Sequence, residues 1–126
     1  MRGTKRTTVS LILASTMLAC CSDNPKTVWT VQEPSPDGSH VAFAKIDVWG
    51  GPGNSYALTT VSLKTANVRS VVDIVVLDDN EATLDEMKNL RLAWRSNSQL
   101  EITASAKARP TFEAIKAQGV DITLNL

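Results

Sequence analysis

A chain of 126 residues with one histidine and two adjacent cysteines has few ways to do chemistry. Zinc and copper are held by sets of imidazoles and thiolates. His40 stands alone, and Cys20 and Cys21 both precede the polar break at residues 22–26, so the body of the chain is expected to hold no metal and no cofactor. The stretch Asp78-Asp79-Asn80-Glu81, with Asp85 and Glu86, is the one source of hard oxygen ligands. It lacks the alternating acidic spacing and turn glycine of an EF-hand loop. Acidic residues near a helix start are in any case favoured by the helix dipole. Nucleophilic catalysis needs a base beside a hydroxyl or thiol. His40 follows Gly38 by two residues, no G-x-S-x-G elbow occurs, and the imidazole reads as a solvent-facing or hydrogen-bonded strand residue. Gly50-Gly51-Pro52-Gly53 lacks the lysine and the strand-to-helix setting of a phosphate-binding loop. The residues point away from an enzyme. The alternative is a small hydrolase built on paired carboxylates, whose spacing in space leaves no mark in sequence.

The cysteines themselves carry the clearest signal. Arg2, Lys5 and Arg6 form a short basic start, and residues 9–19 follow without a charge, ending in Met17-Leu18-Ala19-Cys20. Eleven residues are too few to span a bilayer, which takes about 20, but they suit the apolar core of a signal peptide. Small residues directly before a cysteine resemble the bacterial lipobox, in which the thiol takes a diacylglycerol before cleavage. A lipobox favours Leu three places before the cysteine, where Met17 stands. Reading Cys21 as the acceptor puts Leu18 there but places Cys20 in the small-residue slot, so Cys20 is preferred. The resemblance implies a signal peptide over residues 1–19, a lipidated tether over 20–27 and a folded domain over 28–126. It also implies anchoring in the bacterial cell envelope. No Asp follows Cys20, which favours the outer membrane in a cell that has one.

Three of the 13 basic residues lie in the leader, leaving ten against 13 acidic, a net charge of −3 on the mature part. Mild acidity without a basic run argues against a nucleic-acid partner. With both cysteines at the lipidation site, no disulfide can form within the body. The 107 residues that follow the leader are enough for one small core.

The elements that must position any site are mostly strands. Residues 27–32, 40–48, 56–64 and 68–77 alternate or are rich in β-branched side chains. The 40–48 run is apolar on both faces and is expected in the interior of a sheet. Asp37-Gly38 suits the positive φ of a tight hairpin turn, Asn67 marks the turn between two later runs, and Gln118-Gly119 is a further hairpin signal. Later runs are 90–94, 100–104, 112–117 and 120–126, with Val120, Ile122, Leu124 and Leu126 sharing one face. Trp94 shares a strand face with Leu90 and Leu92 and is expected in the core. Residues 80–88 predict a helix of two to three turns packing Leu84 and Met87, with Thr83 and Glu86 spaced as a capping box and Asp79 or Asn80 as the alternative cap. The fold class is mainly β: a single small antiparallel domain, meander or sandwich-like, of six to eight strands with one short helix near 80–88.

Ser35-Pro36-Asp37-Gly38-Ser39-His40-Val41-Ala42-Phe43 resembles the turn between strands in TolB-like β-propeller blades, and residues 94–102 are similar but lack the proline and glycine. Small exported lipoproteins of uncharacterised function carry such a turn, and this chain looks like one of them. About 107 residues hold at most two blades, so a closed propeller, with four or more, is excluded. That resemblance carries no function; with the usual catalytic and metal motifs missing, the expected role is a lipid-anchored, non-catalytic interaction or structural protein that holds a protein or other envelope component near a membrane. The catalytic alternative becomes a small envelope hydrolase. Trp49 and Tyr56, at the ends of the glycine-rich loop between two strands, are the expected partner contact, since such rings recur in binding hot spots. Alternatively they fold inward and cover the open end of the sheet.

Overall fold

Alternation along the chain becomes strand structure throughout the computed structural model, which describes residues 24–50 and 55–126. Its first sheet is a meander of β1 (Lys26–Pro34), β2 (His40–Trp49), β3 (Tyr56–Thr65) and β4 (Val71–Asp78), extended beyond β4 by β7 (Arg109–Glu113). The second sheet is built from β5 (Arg91–Ser96), β6 (Gln99–Thr103), β9 (Val120–Asn125) and the two-residue β8 (Lys116–Ala117), in the order β5-β6-β9-β8. A single helical turn, α1 (Leu84–Met87), joins β4 to β5. The protein is mainly β, one small domain of two sheets.

The side-chain period of two sorts each strand into an inner and an outer face. In β2, Ala42, Ala44 and Ile46 point inward and pair with Leu63, Val61 and Thr59 of β3. Those in turn meet Val72, Val75 and Leu77 of β4. From the second sheet come Leu100, Ile102, Val120 and Ile122, and with Leu90 and Ala108 they complete one buried cluster between the sheets. A smaller cluster of Ile46, Ala57 and Met87, flanked by Val28, Trp29, Val48 and Ala82, closes one end. The outer face of the second sheet is polar. Glu101 accepts from Arg95 and from Asn125 Nδ2, and Lys116 pairs with Asp121.

The turns obey local backbone chemistry. Gly38 (φ +76°) and Asn67 (φ +66°) sit where positive φ is needed. Gln118 (φ +53°) and Gly119 (φ +76°) give the two consecutive positive values that a two-residue hairpin loop demands.

Several expectations need correction. The described residues hold nine strands, because 109–117 splits in two. Its first part pairs with β4, and its second turns to pair with β9, Ile115 supplying a carbonyl to Ile122 N–H at the corner. A strand that changes sheets in this way closes the edge of a sandwich. All pairings are antiparallel except β6 with β9, which is parallel because the excursion through β7 lies between them. Lys26 and Thr27, assigned to the tether, belong to β1, where Thr27 Oγ1 donates to the buried Asp47 carboxylate (2.5 Å). Val68–Ser70 is a turn extension rather than strand, with Val68 N–H bonded to Thr65 O. The helix is one turn, not two to three. Its capping box is present, Thr83 and Glu86 each accepting from the other's N–H, and Met87 is buried, but Leu84 is 37% exposed. One turn of helix has too narrow a contact face to bury both side chains.

Candidate functional site

Trp49 ends β2 and Tyr56 begins β3, and the two residues are directly opposed in the strand register. Their rings stack, with centroids 5.3 Å apart and planes 6° from parallel. Gly50 turns the chain away immediately, at φ +91°, backbone that a side chain resists. Both rings project from the outer face of the first sheet, in line with Asp47 and Leu58 rather than with Ile46 and Ala57. Neither packs into the two core clusters. The open end of the sheet is instead filled by Met87 and its neighbours. The inward-folding alternative therefore does not describe this pair. Trp49 is half-buried, Tyr56 is 53% exposed, and the remaining loop, 51–54, lies outside the described residues.

Beside Tyr56 is a hollow of about 160 Å³ bounded by Val48, Ser55, Ala57, Asp79 and Leu84. Asp79 Oδ2 accepts the N–H of Ala57 (3.1 Å), which ties the start of β3 to the end of β4. Asp78 accepts from Asn80 N–H and lies 3.5 Å from Arg109, and its carboxyl is held below the usual range chiefly by the Asn80 N–H. On the outer face of β2, Asp47 also takes an ion pair from Lys45 (3.4 Å). The acidic residues at this end thus act largely within the fold. Among the described residues, no cluster of metal-ligating side chains occurs.

Cys20 lies outside the described residues. The chain that follows it enters β1 at Lys26, which pairs with Val48. The tether therefore joins the domain next to Trp49.

A second constellation sits at the opposite end. Asp37 Oδ1 accepts from Ser35 Oγ, from Ser39 Oγ and from Ser39 N–H, all at 2.7–2.9 Å. The hydrogen bonds from Ser39 hold its carboxyl below the ordinary value of 3.8. Asp37 N–H reaches across to Asn97 Oδ1 (2.9 Å) in the β5–β6 turn. His40 shares a hydrogen bond with Thr65 Oγ1 (2.9 Å) through Nδ1 and stacks on Trp94 at 5.9 Å, while Trp94 Nε1 donates to Glu33 O (2.9 Å). Trp94 is thus half-buried at the rim of the core, not enclosed, because its indole N–H must reach the edge of β1. His40 is a hydrogen-bonded strand residue here, with no carboxylate bonded to it. The two turn phrases are similar in sequence, but nothing local makes them neighbours. The polar side chains at matching offsets, Asp37 and Asn97, were the available signal.

A shallow groove of about 560 Å³ runs along β1 and β2, past Thr30, Gln32, Phe43 and Lys45. Its lining is mixed and includes one cation and no carboxylate. Compared with known proteins, the chain matches no family, no curated protein and no solved structure.

Proposed function

We propose that this chain is a bacterial lipoprotein, acylated on Cys20, whose β domain serves a non-catalytic interaction or structural role in the cell envelope. The observation that carries the reading is the Trp49–Tyr56 stack, half-buried at Trp49 and exposed at Tyr56, which no core cluster uses, next to the strand where the tether arrives. Large rings left outside a core are the kind of residue that anchors binding. The run from Arg2 to Cys20, with a charge-free stretch ending in small residues before a thiol, supports acylation. Several acyl chains at about 0.8 kcal/mol per buried methylene hold a protein firmly, where a single chain would not. In this reading the domain is an envelope module with Trp49 and Tyr56 as its contact pair.

The test is metabolic labelling with a palmitate analogue. Wild-type protein takes the label and fractionates with membranes, and Cys20→Ala loses both properties. Undiminished label on Cys20→Ala would move the acceptor elsewhere, with Cys21→Ala as the control.

A further inference from the structure

We propose that the Trp49–Tyr56 stack is a membrane-interface contact: it seats in the headgroup layer of the bilayer that holds the anchor, and its ligand is a zwitterionic phospholipid surface. The proposal rests on acylation at Cys20, which sets the distances. Cys20 is six Cα–Cα steps from Lys26, at most about 22 Å of extended chain. Lys26 pairs with Val48, so Trp49 is one residue beyond the paired position. Tyr56 lies one strand further on, about 5 Å across the sheet. The stack is therefore within the reach of the tether. The opposite end, with Asp37, His40 and Asn97, is nine strand steps away along β2, roughly 30 Å. Of the two ends, the aromatic one faces the membrane.

Its chemistry fits that position. Indole and phenol rings combine an apolar body with one polar atom, and they concentrate at membrane–water boundaries for that reason. Tyr56, 53% exposed, lines one hollow with Leu84, 37% exposed, and Trp49 joins this footprint through its stack on Tyr56. Because Trp49 and Tyr56 belong to neither core cluster, seating them in headgroups costs the fold no buried contact.

Charge selects the lipid. Asp78 and Asp79 flank the footprint through the end of β4, with Glu81 and Asp85 following in the chain. Lys45, Lys107 and Arg109 already pair with Asp47, Glu86 and Asp78, which leaves Asp79, Glu81 and Asp85 against Lys26 and Lys88, a small acidic excess. Like charges repel over a Debye length of about 8–10 Å at ordinary salt. An anionic surface is therefore disfavoured, and a zwitterionic one is not.

The experiment uses the full acylated protein in phosphatidylcholine vesicles carrying a shallow spin-labelled lipid. Vesicle flotation reports the anchor, and quenching of tryptophan emission reports the contact. Trp49→Phe keeps a ring in the stack but removes its emission, leaving Trp29 and Trp94. The expected result is quenched wild-type emission, loss of most of that quenching in Trp49→Phe, and weaker quenching when phosphatidylglycerol replaces part of the phosphatidylcholine. Tyr56→Ser, checked for an unchanged circular dichroism spectrum, should also weaken it. Protein that floats with equal quenching in wild type and Trp49→Phe, or with none in either, overturns the membrane contact while the anchor stands. Floating protein that shows no quenching in vesicles, and whose position 49 carries a photo-crosslinker that captures one envelope protein in intact cells, overturns it in favour of a protein ligand. Protein that neither floats nor takes acyl label overturns the anchor, and the contact with it.

Discussion

Replacing Trp94 by alanine removes the strut between two sheet edges. The indole packs against the main core, stacks on His40 at 5.9 Å and donates its N–H to Glu33 O in β1. Full loss of a buried aromatic costs about 3–5 kcal/mol, and the partial burial of Trp94 takes the low end of that range. Its hydrogen bond adds about 0.5–1 kcal/mol, since water can reach the freed Glu33 carbonyl. The stacking adds about 0.5 kcal/mol more. The sum is near 4 kcal/mol, a large share of the 5–15 kcal/mol typical of a domain. Trp94→Phe separates the parts, because it keeps a ring in place and removes only the donor, at about 1 kcal/mol. With a urea m-value of about 1.5–2 kcal/mol/M, alanine should lower the unfolding midpoint by roughly 2 M and phenylalanine by roughly 0.5 M. The assay is urea denaturation followed by circular dichroism, so that loss of the fluorophore does not matter. An alanine variant within 1 kcal/mol of wild type would refute the strut. Equal losses in both variants would place the energy in the N–H rather than the ring.

Acidification should destabilise the domain. Asp37, Asp78, Glu86 and Glu101 all have carboxyls held below their ordinary values, 3.8 for the aspartates and 4.5 for the glutamates. A group depressed in the folded state stabilises fully above its unfolded pKa and loses that contribution as pH falls through the folded one. The urea midpoint should therefore fall below the ordinary carboxylate range, and a midpoint that rises on acidification there would reverse the assignment. Thr59, 1% exposed and opposed to Ile46 and Leu77, has a hydroxyl with no hydrogen-bond partner. Thr59→Val should stabilise by about 1 kcal/mol, read as a higher melting temperature, and a lower one would mean the hydroxyl is satisfied.

Period-two alternation was enough, by itself, to announce a mainly β domain, because it reports one half-buried face and needs no knowledge of the partner strand. The turns at Gly38, Asn67 and Gln118-Gly119 were equally legible, since positive φ is a property of single residues. So was the capping box of Thr83 and Glu86, whose hydrogen bonds span three residues. The tertiary structure decided everything that depends on chain segments far apart. Nothing local in residues 109–117 says that the strand leaves one sheet for the other, and with that excursion comes the parallel pairing of β6 and β9. Trp94 alternates like a core residue, yet its N–H finds Glu33, 61 residues away, and that bond holds it at the rim. Trp49 and Tyr56 were identifiable as aromatics bracketing a loop, but their stacking on the outer face follows from the register of β2 against β3. That register is set by burial of Ala42, Ala44 and Ile46 on the other side, because a one-residue slip would carry the whole apolar set outward.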